Sequence, residues 1–501
     1  MSGQPHYLAF DLGAESGRAI LAGFDGDGIQ LSDVHRFSNG PVYLPDGIHW
    51  DVLHLWAEMN RGLGLAVEEC GAGLTSLGVD TWAVDFGLLD RQGALISNPY
   101  HYRDSRTDSM LKEAFSRMSR AEIFERTGIQ FLQINTLYQL LSMVVNHSPE
   151  LGIADTLLTI PDLFNYWFTG QAVCEYTNAT TTQCYNPRTE AWDRPLLDRM
   201  GISPDLFPDV VPPATVLGPL SSSVRQRLAL ASDVDVSVIA PACHDTGAAV
   251  AAVPADGPGF AWISSGTWSV AGAEVSEPVI NEQSLDHNFT NEGGVCDTFR
   301  FSRNVMGLWL VQECRRTWAR QGNDFTYDDL TKMAARADGF SAVVDPDHGE
   351  FFKPGDMPAR IRKFCRTTNQ DVPGTKGAVV RCALEGIALK YRWVLERMEE
   401  MLGKHLEPVH IVGGGTQNEL LSQFTADATG REVVTGPIEA TATGNALMQM
   451  MATGDISSWA DGRQVVRDSF PLLSYEPELE DQGRWDEAYA RLLQILARSG
   501  G

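Results

Sequence analysis

The stretch "YLAFDLGAESGRAILAGF", residues 7–24, predicts a β-hairpin in which two apolar runs flank a tight turn through Gly13 and Gly17. About half the chain later, "FAWISSGTWSVAGAEV", residues 260–275, repeats this plan. Both turns carry glycine and hydroxyl residues, whose backbone N–H groups can converge on an anion. A single hairpin with a glycine turn is common. Two of them, each opening one half of the chain, predict a duplicated fold with two phosphate-facing loops across a cleft.

A third segment, "VHIVGGGTQNELLSQFTADATG", residues 409–430, predicts a short strand, a glycine-rich turn and an amphipathic helix. The three glycines let the backbone approach a ligand closely, and a helix N-terminus favours negative charge. A dinucleotide-binding fingerprint would need glycine at position 418, where Asn418 stands. The chain also lacks the P-loop motif and the H-R-D signature of protein kinases. The segment therefore predicts a third ligand-facing loop in the same cleft.

The composition is that of a globular protein with two large domains: 501 residues, 43% hydrophobic and 21% charged. A formal net charge of −26 argues against nucleic acid as a partner, because a phosphate backbone would be repelled. Eight cysteines without a C-x-x-C pair indicate neither a zinc site nor a secreted disulfide framework. The chain shows no signal-peptide pattern and no apolar stretch of about 18 residues. We therefore expect a cytoplasmic protein without a membrane partner.

The order of elements predicts an α/β fold, because strand-like and helix-like runs alternate in both halves of the chain. Between the halves lies "AAVPADGPGF", residues 251–260, with two prolines and two glycines. Such residues mark turns and connections. We therefore divide the chain into an N-terminal domain, residues 1–248, and a C-terminal domain, residues 249–501.

The segment "PACHDTGAAV", residues 241–250, places a carboxylate where a strand-like run gives way to a helix-like one. Asp is a favoured N-cap residue, so Asp245 could simply cap the helix. A catalytic carboxylate in the same position is the alternative. These ten residues leave both interpretations open.

Taken together, the motifs resemble those of the FGGY carbohydrate kinases, of the actin–hexokinase–heat-shock ATPase superfamily, nearly end to end. The matching stretches are "DLGAESGR" (11–18), "GVDTWAVDFGLLD" (78–90), "YRDSRT" (102–107), "GIQFLQINTLYQL" (128–140), "EYTNATTTQ" (175–183), "HDT" (244–246), "SSGTWS" (264–269), "TNEGG" (290–294), "NVMGLWL" (304–310) and "HIVGGGTQN" (410–418). The resemblance implies two ribonuclease-H-like domains, an N-terminal one that binds sugar and a C-terminal one that binds nucleotide, closing over a central cleft. We expect a monomer or weak dimer.

The activity implied by the resemblance is ATP- and Mg²⁺-dependent phosphorylation of a ketose. The motifs "YTNATTTQ" and "TNEGG" are narrower than the ATP loops and favour L-rhamnulose, phosphorylated at its 1-hydroxyl in L-rhamnose catabolism. L-fuculose and D-xylulose are the alternative substrates. A non-catalytic actin-like ATPase is the alternative from a different class; such proteins lack a base at the position of Asp245.

The resemblance also assigns roles to single residues. Asp245 corresponds to the general base, which orients the sugar hydroxyl and accepts its proton late in the transfer. Asp11 corresponds to the acid that holds Mg²⁺. The residues implied in ATP binding are Ala14, Glu15, Ser16, Gly17, Arg18, Thr267, Gln312 and Gly414. Those implied in sugar binding are Ala83, His244, Asp245, Thr246 and Asn304.

Two of these positions depart from the family pattern, and a pair of cysteines leaves a choice. We expect Glu15 to act through its backbone, because its carboxylate would repel a triphosphate. Ala83 stands where relatives carry glycine and contact sugar through the backbone. Cys365 and Cys382 match a pair that forms a disulfide in some relatives, whereas free thiols are the ordinary state in the cytoplasm.

Overall fold

The computed structural model describes residues 4–499 as two compact units of mixed α/β structure. The first unit contains residues 4–256 together with residues 275–301 and 440–470. The second contains residues 257–274, 302–439 and 471–499. A single cut at residue 248 therefore does not describe the compact units, because two later segments return to the first one.

The secondary-structure elements have the following bounds. The strands are β1 His6–Leu12, β2 Ser16–Phe24, β3 Ile29–Ser38, β4 Pro41–Leu44, β5 Gly47–Trp50, β6 Leu74–Thr81, β7 Phe86–Leu89, β8 Thr156–Thr159, β9 Cys174–Glu175, β10 Tyr185–Asn186, β11 Ala191–Trp192, β12 Val210–Val211, β13 Thr215–Pro219, β14 Ser237–Ala240, β15 Ala261–Ser265, β16 Trp268–Val275, β17 Thr290–Gly293, β18 Phe299–Met306, β19 Val409–Val412, β20 Val433–Thr435 and β21 Leu473–Tyr475. The helices are α1 Val52–Cys70, α2 Met110–Arg117, α3 Arg120–Thr127, α4 Thr136–Val145, α5 Pro149–Ile153, α6 Ile160–Thr169, α7 Tyr176–Thr181, α8 Arg194–Met200, α9 Ser222–Arg227, α10 Asp245–Ala251, α11 Glu282–Asp286, α12 Trp309–Arg320, α13 Tyr327–Ala335, α14 Met357–Thr367, α15 Lys376–Leu402, α16 Glu419–Thr429, α17 Ala440–Thr453, α18 Trp459–Ser469 and α19 Gln482–Ser499.

The first unit is built on a six-stranded sheet in the order β13-β14-β6-β1-β2-β3. β1 and β2 form the predicted hairpin, while β1, β6 and β14 run parallel to one another. Phe10 of β1, Leu77 of β6 and Val238 of β14 are buried together in one hydrophobic core. Because parallel strands end at the same edge of a sheet, the residues that close β1, β6 and β14 lie together. This edge is where the candidate site lies.

Helix α17 returns to the first unit because it packs closely on α10 and on the sheet. A Cβ atom on Gly444 would lie 1.8 Å from the carbonyl oxygen of Ala248, so only glycine permits this approach. Beneath the sheet, Gln449 of α17 accepts a hydrogen bond from the Ser76 hydroxyl at 2.7 Å. It also donates one to Asn445 at 2.7 Å. The helix thus places a polar row against β6.

A second sheet has the order β17-β18-β16-β15-β19-β20-β21. β15 and β16 form the second predicted hairpin, and β15 runs parallel to β19 and β19 to β20. The glycine-rich turn and helix α16 follow β19, which confirms the predicted order of the third segment. Within residues 4–499, no helix is both long and apolar enough to cross a membrane.

Candidate active site

Asp11 is the penultimate residue of β1, at the carboxyl edge of the first sheet, and it is buried. Arg18 lies directly opposite on β2, and its guanidinium forms an ion pair with the Asp11 carboxylate. The two residues predicted to hold Mg²⁺ and phosphate are therefore direct neighbours. The charge of Arg18 lowers the electrostatic cost of an acid in this position.

Asp80, at the end of β6, is a site residue that the sequence analysis missed. It lies beside Asp11 in the parallel register and is fully buried. Burial and the neighbouring Asp11 raise the pKa of Asp80 well above its ordinary value, although Asn445 donates a hydrogen bond to it at 2.6 Å. The only sequence signal is an acid in "GVDTW" at the end of a strand-like run.

The Asp11–Asp80 pair fits a Mg²⁺ ion. Oδ1 of Asp80 is buried and has no hydrogen-bond partner, and both side chains offer the hard oxygen ligands that Mg²⁺ prefers. No cluster of three or more acidic, histidine or cysteine side chains in the described residues forms a complete metal cage. This agrees with the usual mode of Mg²⁺ binding, through one or two carboxylates with phosphate and water oxygens.

The HDT triplet follows β14 at the same edge, and His244 pairs with Thr81 at the end of β6. Asp245 is the first residue of α10 and His244 occupies the N-cap position, so the simple cap interpretation of Asp245 is wrong. The carboxylate of Asp245 nevertheless accepts a hydrogen bond from the Thr246 amide at 2.6 Å. Its side chain remains 34% exposed, unlike the buried Asp11 and Asp80.

His244 lies between Asp245 and a buried ion pair. Nε2 of His244 is 3.3 Å from Oδ1 of Asp245, and Nδ1 is 3.0 Å from Nη2 of Arg300. Nη2 of Arg300 is in turn 3.1 Å from Glu292, which belongs to the "TNEGG" motif. Burial alone would raise the pKa of Glu292, but the charge of Arg300 holds it below its ordinary value. Because His244, Glu292 and Arg300 are not adjacent in sequence, no local sequence pattern predicts this group.

The motif "YTNATTTQ" and the acid before it fix the backbone of the triplet. Glu175 caps α7 and accepts a hydrogen bond from the Cys243 amide at 3.0 Å. The Thr177 hydroxyl accepts one from the His244 amide at 3.2 Å. Burial raises the pKa of Glu175 to about 8, against the lowering effect of its hydrogen bonds from Thr177. A motif that the sequence analysis linked to substrate choice thus supports the candidate base.

The remaining predicted ATP residues of the first unit are Ala14 and Glu15, in the turn after β1, and Ser16 and Gly17, the first residues of β2. The turn closes through a 2.9 Å hydrogen bond from the Gly13 amide to the Ser16 carbonyl. Gly17 is required by packing, since a Cβ atom there would lie 2.2 Å from the Phe37 ring. The carbonyl oxygen of Glu15 accepts a hydrogen bond from the Asn39 amide at 3.2 Å, and its side chain is exposed.

Thr267, Gln312 and Gly414, predicted to bind nucleotide, all belong to the second unit. Nε2 of Gln312 donates a hydrogen bond to the Thr267 hydroxyl at 3.1 Å. Gly414 faces open space, whereas a Cβ atom on neighbouring Gly415 would lie 2.1 Å from the Ser265 hydroxyl oxygen. The glycine turn therefore packs against the strand that leads to Thr267.

Asn304, the predicted sugar residue of the second unit, lies on β18 next to a buried charge cluster. Lys390 is 2.9 Å from Asp345 and 3.1 Å from Asp347. Asp347 also accepts a hydrogen bond from the Met306 amide at 2.8 Å. This cluster fixes the end of the strand that carries Asn304.

Ala83 lies in a loop above a buried acid that the sequence analysis also missed. The Asp85 amide donates a hydrogen bond to the Ala83 carbonyl at 3.0 Å. The Asp85 carboxylate accepts hydrogen bonds from the indoles of Trp50 and Trp82, at 2.6 and 3.0 Å, and from Gln139 at 2.7 Å. Burial raises the pKa of Asp85 to about 6 despite these donors.

Cys365 and Cys382, the predicted disulfide pair, are both buried free thiols. A hydrogen bond from Cys382 lowers the pKa of Cys365 and raises that of Cys382. The two sulfurs are thus neighbours, but the bridge is not formed in this structure.

Comparison with known proteins places the chain among sugar kinases. Residues 6–251 match the N-terminal domain, and residues 261–453 the C-terminal domain, of the FGGY family of carbohydrate kinases. A rhamnulokinase from Bacteroides thetaiotaomicron is 42% identical over 484 residues, 97% of this chain and 98% of that protein. A rhamnulokinase from Oceanobacillus iheyensis is 40% identical, over 93% of this chain and 97% of that protein.

Solved structures give the same fold at lower sequence identity. A gluconate kinase from Lactobacillus acidophilus aligns with a TM-score of 0.82 at 17% identity, covering 100% of this chain and 99% of that one. A Plasmodium falciparum glycerol kinase with ADP aligns with a TM-score of 0.78 at 14% identity, covering 98% of each chain. These likenesses confirm the predicted fold class, two ribonuclease-H-like domains of the actin-like ATPase type.

Proposed function

The chain belongs to the FGGY family of carbohydrate kinases, and we propose that it transfers the γ-phosphoryl group of ATP to the 1-hydroxyl of L-rhamnulose. The products are L-rhamnulose 1-phosphate and ADP, within L-rhamnose catabolism. As a member of this family it is a carbohydrate kinase that uses ATP with Mg²⁺. The observation that carries the choice of sugar is the full-length similarity to rhamnulokinases.

Asp245 is the proposed general base. The 1-hydroxyl oxygen forms the new bond to the γ-phosphorus while the bond to the bridging oxygen of ADP breaks. The hydroxyl proton passes to the Asp245 carboxylate. Since phosphoryl transfer has a loose transition state, orientation of the hydroxyl matters more than early removal of its proton. The partly exposed carboxylate at the start of α10 suits this role.

Asp11 and Asp80 are the residues that would hold Mg²⁺ in the first unit. The ion, when bound, neutralises negative charge on the phosphate oxygens. In the first unit, the backbone of residues 14–17 and the Arg18 guanidinium are proposed to bind phosphate. In the second unit, Thr267, Gln312 and Gly414 are proposed to bind the nucleotide.

The sugar is proposed to contact Ala83, His244, Asp245, Thr246 and Asn304. Hydrogen-bonding groups discriminate sugars strongly, because a misplaced hydroxyl leaves a buried donor or acceptor unpaired. The HDT triplet is held in place by contacts with the motifs "YTNATTTQ" and "TNEGG", and it supplies such a rigid polar surface.

The proposal is tested by measuring ADP release with ATP, Mg²⁺ and three ketoses: L-rhamnulose, L-fuculose and D-xylulose. We expect kcat/KM for L-rhamnulose to exceed the other two by roughly tenfold or more. Carbon–phosphorus couplings in the NMR spectrum of the product should place the phosphate on carbon 1. Equal kcat/KM for L-rhamnulose and D-xylulose would overturn the substrate assignment. A cytoplasmic location and a monomer or weak dimer remain predictions.

A further inference from the structure

We propose that Arg300 and Glu292 are positioning residues that hold His244 as the tautomer with its proton on Nε2. In this state His244 donates a hydrogen bond to Oδ1 of Asp245 and leaves Oδ2 for the acceptor hydroxyl. The proposal rests on the proposed function, in which Asp245 is the base. Arg300 and Glu292 act through His244 and do not themselves contact the substrate.

The buried guanidinium of Arg300 decides the protonation of His244. Arg300 is 0% exposed, and its Nη2 lies 3.0 Å from Nδ1 of His244. Its Nε also donates a hydrogen bond to the Gly293 carbonyl at 2.9 Å, which fixes the guanidinium plane. A guanidinium cannot accept a hydrogen bond and does not lose its proton in proteins. Nδ1 of His244 must therefore be the acceptor and carry no proton.

A neutral imidazole with a bare Nδ1 carries its proton on Nε2. Nε2 of His244 faces Oδ1 of Asp245 at 3.3 Å, so the imidazole is the donor of this pair. Nδ1 is also 3.4 Å from Glu292, but two acceptors form no hydrogen bond with each other. Because Nη2 of Arg300 has two hydrogens, one can serve His244 and the other Glu292, at 3.1 Å.

Glu292 supplies the counter-charge that Arg300 needs in this environment. A buried cation without a partner is strongly destabilising. Glu292 is nearly buried, and its second oxygen accepts a hydrogen bond from the Thr290 hydroxyl at 3.3 Å. Glu292 therefore keeps the guanidinium both charged and correctly directed towards His244.

The result is a carboxylate with one oxygen fully engaged. Oδ1 of Asp245 accepts hydrogen bonds from the Thr246 amide at 2.6 Å and the Thr246 hydroxyl at 3.3 Å, and Nε2 of His244 lies 3.3 Å from the same oxygen. In the described residues, every hydrogen bond to this carboxylate goes to Oδ1. The orientation of Asp245 is thus set before any ligand binds, and Oδ2 is left to accept the proton.

The tautomer can be measured directly on the full-length protein without sugar or ATP. In protein with ¹⁵N-labelled histidine, long-range ¹H–¹⁵N spectra distinguish a protonated Nε2 from a protonated Nδ1. The signals of His244 are identified by their loss in His244→Gln. We expect Nε2 to be the protonated nitrogen at neutral pH. A proton on Nδ1, or on both nitrogens, would overturn the proposal.

Kinetics test whether the tautomer matters for transfer. In Arg300→Lys and Glu292→Gln we expect kcat to fall by about 10- to 100-fold, the order expected for a misplaced reacting group. The KM for ATP should change less than about twofold, because these residues do not bind nucleotide. A purely structural role would instead reduce the yield of folded protein and leave kcat per folded molecule unchanged.

Two further variants keep this test decisive. Arg126→Lys is the matched control, because Arg126 forms an ion pair with buried Asp193 at 3.2 Å in the same unit and does not contact His244. It should retain wild-type kcat. The double variant Arg300→Met/Glu292→Met removes both charges and avoids a lone buried ion. If it folds with wild-type kcat, the proposal is wrong.

Failure of this proposal differs from failure of the proposed function. If the wild type prefers another ketose, the substrate assignment falls, and the variants are assayed with that sugar instead. If the wild type prefers L-rhamnulose while Arg300→Lys and Glu292→Gln keep wild-type kcat, the function stands and the positioning role falls.

Discussion

The two hairpin turns follow one sequence plan but lie in chemically different surroundings. The turn after β1 adjoins an edge with three carboxylates, Asp11, Asp80 and Asp245, which we call the acidic edge. The turn after β15 adjoins a neutral hydroxyl–amide pair, Thr267 and Gln312, and a glycine turn. A glycine turn therefore supplies only backbone donors. The side chains that pack next to the turn decide its chemistry. Carboxylates suit a cation and a catalytic base, whereas neutral donors suit a phosphate.

The largest expected effect comes from the exposed member of the acidic edge. Asp245→Asn should lower kcat by about 10²- to 10⁴-fold, the usual contribution of a general base, while ATP binding is retained. Asp51→Asn is the matched control, because Asp51 caps α1 in the same unit and Asn caps equally well. Sugar-dependent ADP release checks the loss, and calorimetry with a non-hydrolysable ATP analogue checks binding. Near wild-type turnover in Asp245→Asn would remove this residue from the mechanism.

The second prediction concerns stability. A buried acid of the first unit, Asp85, should destabilise the folded protein once it loses its proton. The pKa of buried Asp85 is raised to about 6, so the folded state binds its proton more tightly than the unfolded state does. The protonated Asp85 therefore contributes about 3 kcal/mol to the free energy of unfolding. This contribution is fully present below about pH 4 and is lost as the pH rises through about 6. Asp85→Asn should therefore gain stability relative to the wild type over this range.

Urea unfolding at several pH values measures the difference in unfolding free energy between Asp85→Asn and the wild type. Asp233→Asn, at an exposed carboxylate of the same unit, controls for the loss of one charge. A difference for Asp85→Asn that stays constant from pH 4 to 8 would contradict the prediction.

The glycine turn after β19 should be disrupted by steric overlap rather than by charge. In Gly415→Ala the new methyl group would lie 2.1 Å from the Ser265 hydroxyl oxygen, and overpacking of this kind costs about 1–3 kcal/mol. Gly414→Ala is the matched control for stability, since its Cβ atom would meet nothing within 4 Å. Thermal unfolding without ligands should show a lower Tm for Gly415→Ala alone. Equal Tm values for Gly415→Ala and Gly414→Ala would show that the turn accommodates the new methyl group without a loss of stability.

The smallest expected effect concerns the hydrogen-bonded side chains of Thr267 and Gln312 in the second unit. Gln312→Ala removes the 3.1 Å hydrogen bond to Thr267, worth about 0.5–1.5 kcal/mol. We expect the KM for ATP to rise by roughly two- to tenfold with little change in kcat. Gln321→Ala, at the exposed C-terminal end of the same helix, should leave both constants unchanged. A fall in kcat without a change in KM for ATP would contradict a role in nucleotide binding.

The sequence by itself determined the elements whose signals are local. Alternating apolar runs and glycine turns predicted both hairpins and the strand–turn–helix of residues 409–430, and the structure confirms each one. The polar triplet between a strand and a helix drew attention to Asp245, and the resemblance to the kinase family assigned it the role of base. Local patterns succeed here because strand periodicity and turn conformations depend on neighbouring residues.

Only the tertiary structure decided which distant groups meet. Asp80 becomes a neighbour of Asp11 through the parallel register of β6 with β1, and no local pattern states that register. Arg300 and Glu292 reach His244 because residues 275–301, although distant in sequence from the triplet, belong to the first unit. Burial and ionic partners are set by the packing of several segments at once, so the acidic edge and its supporting residues emerge only when the chain is folded.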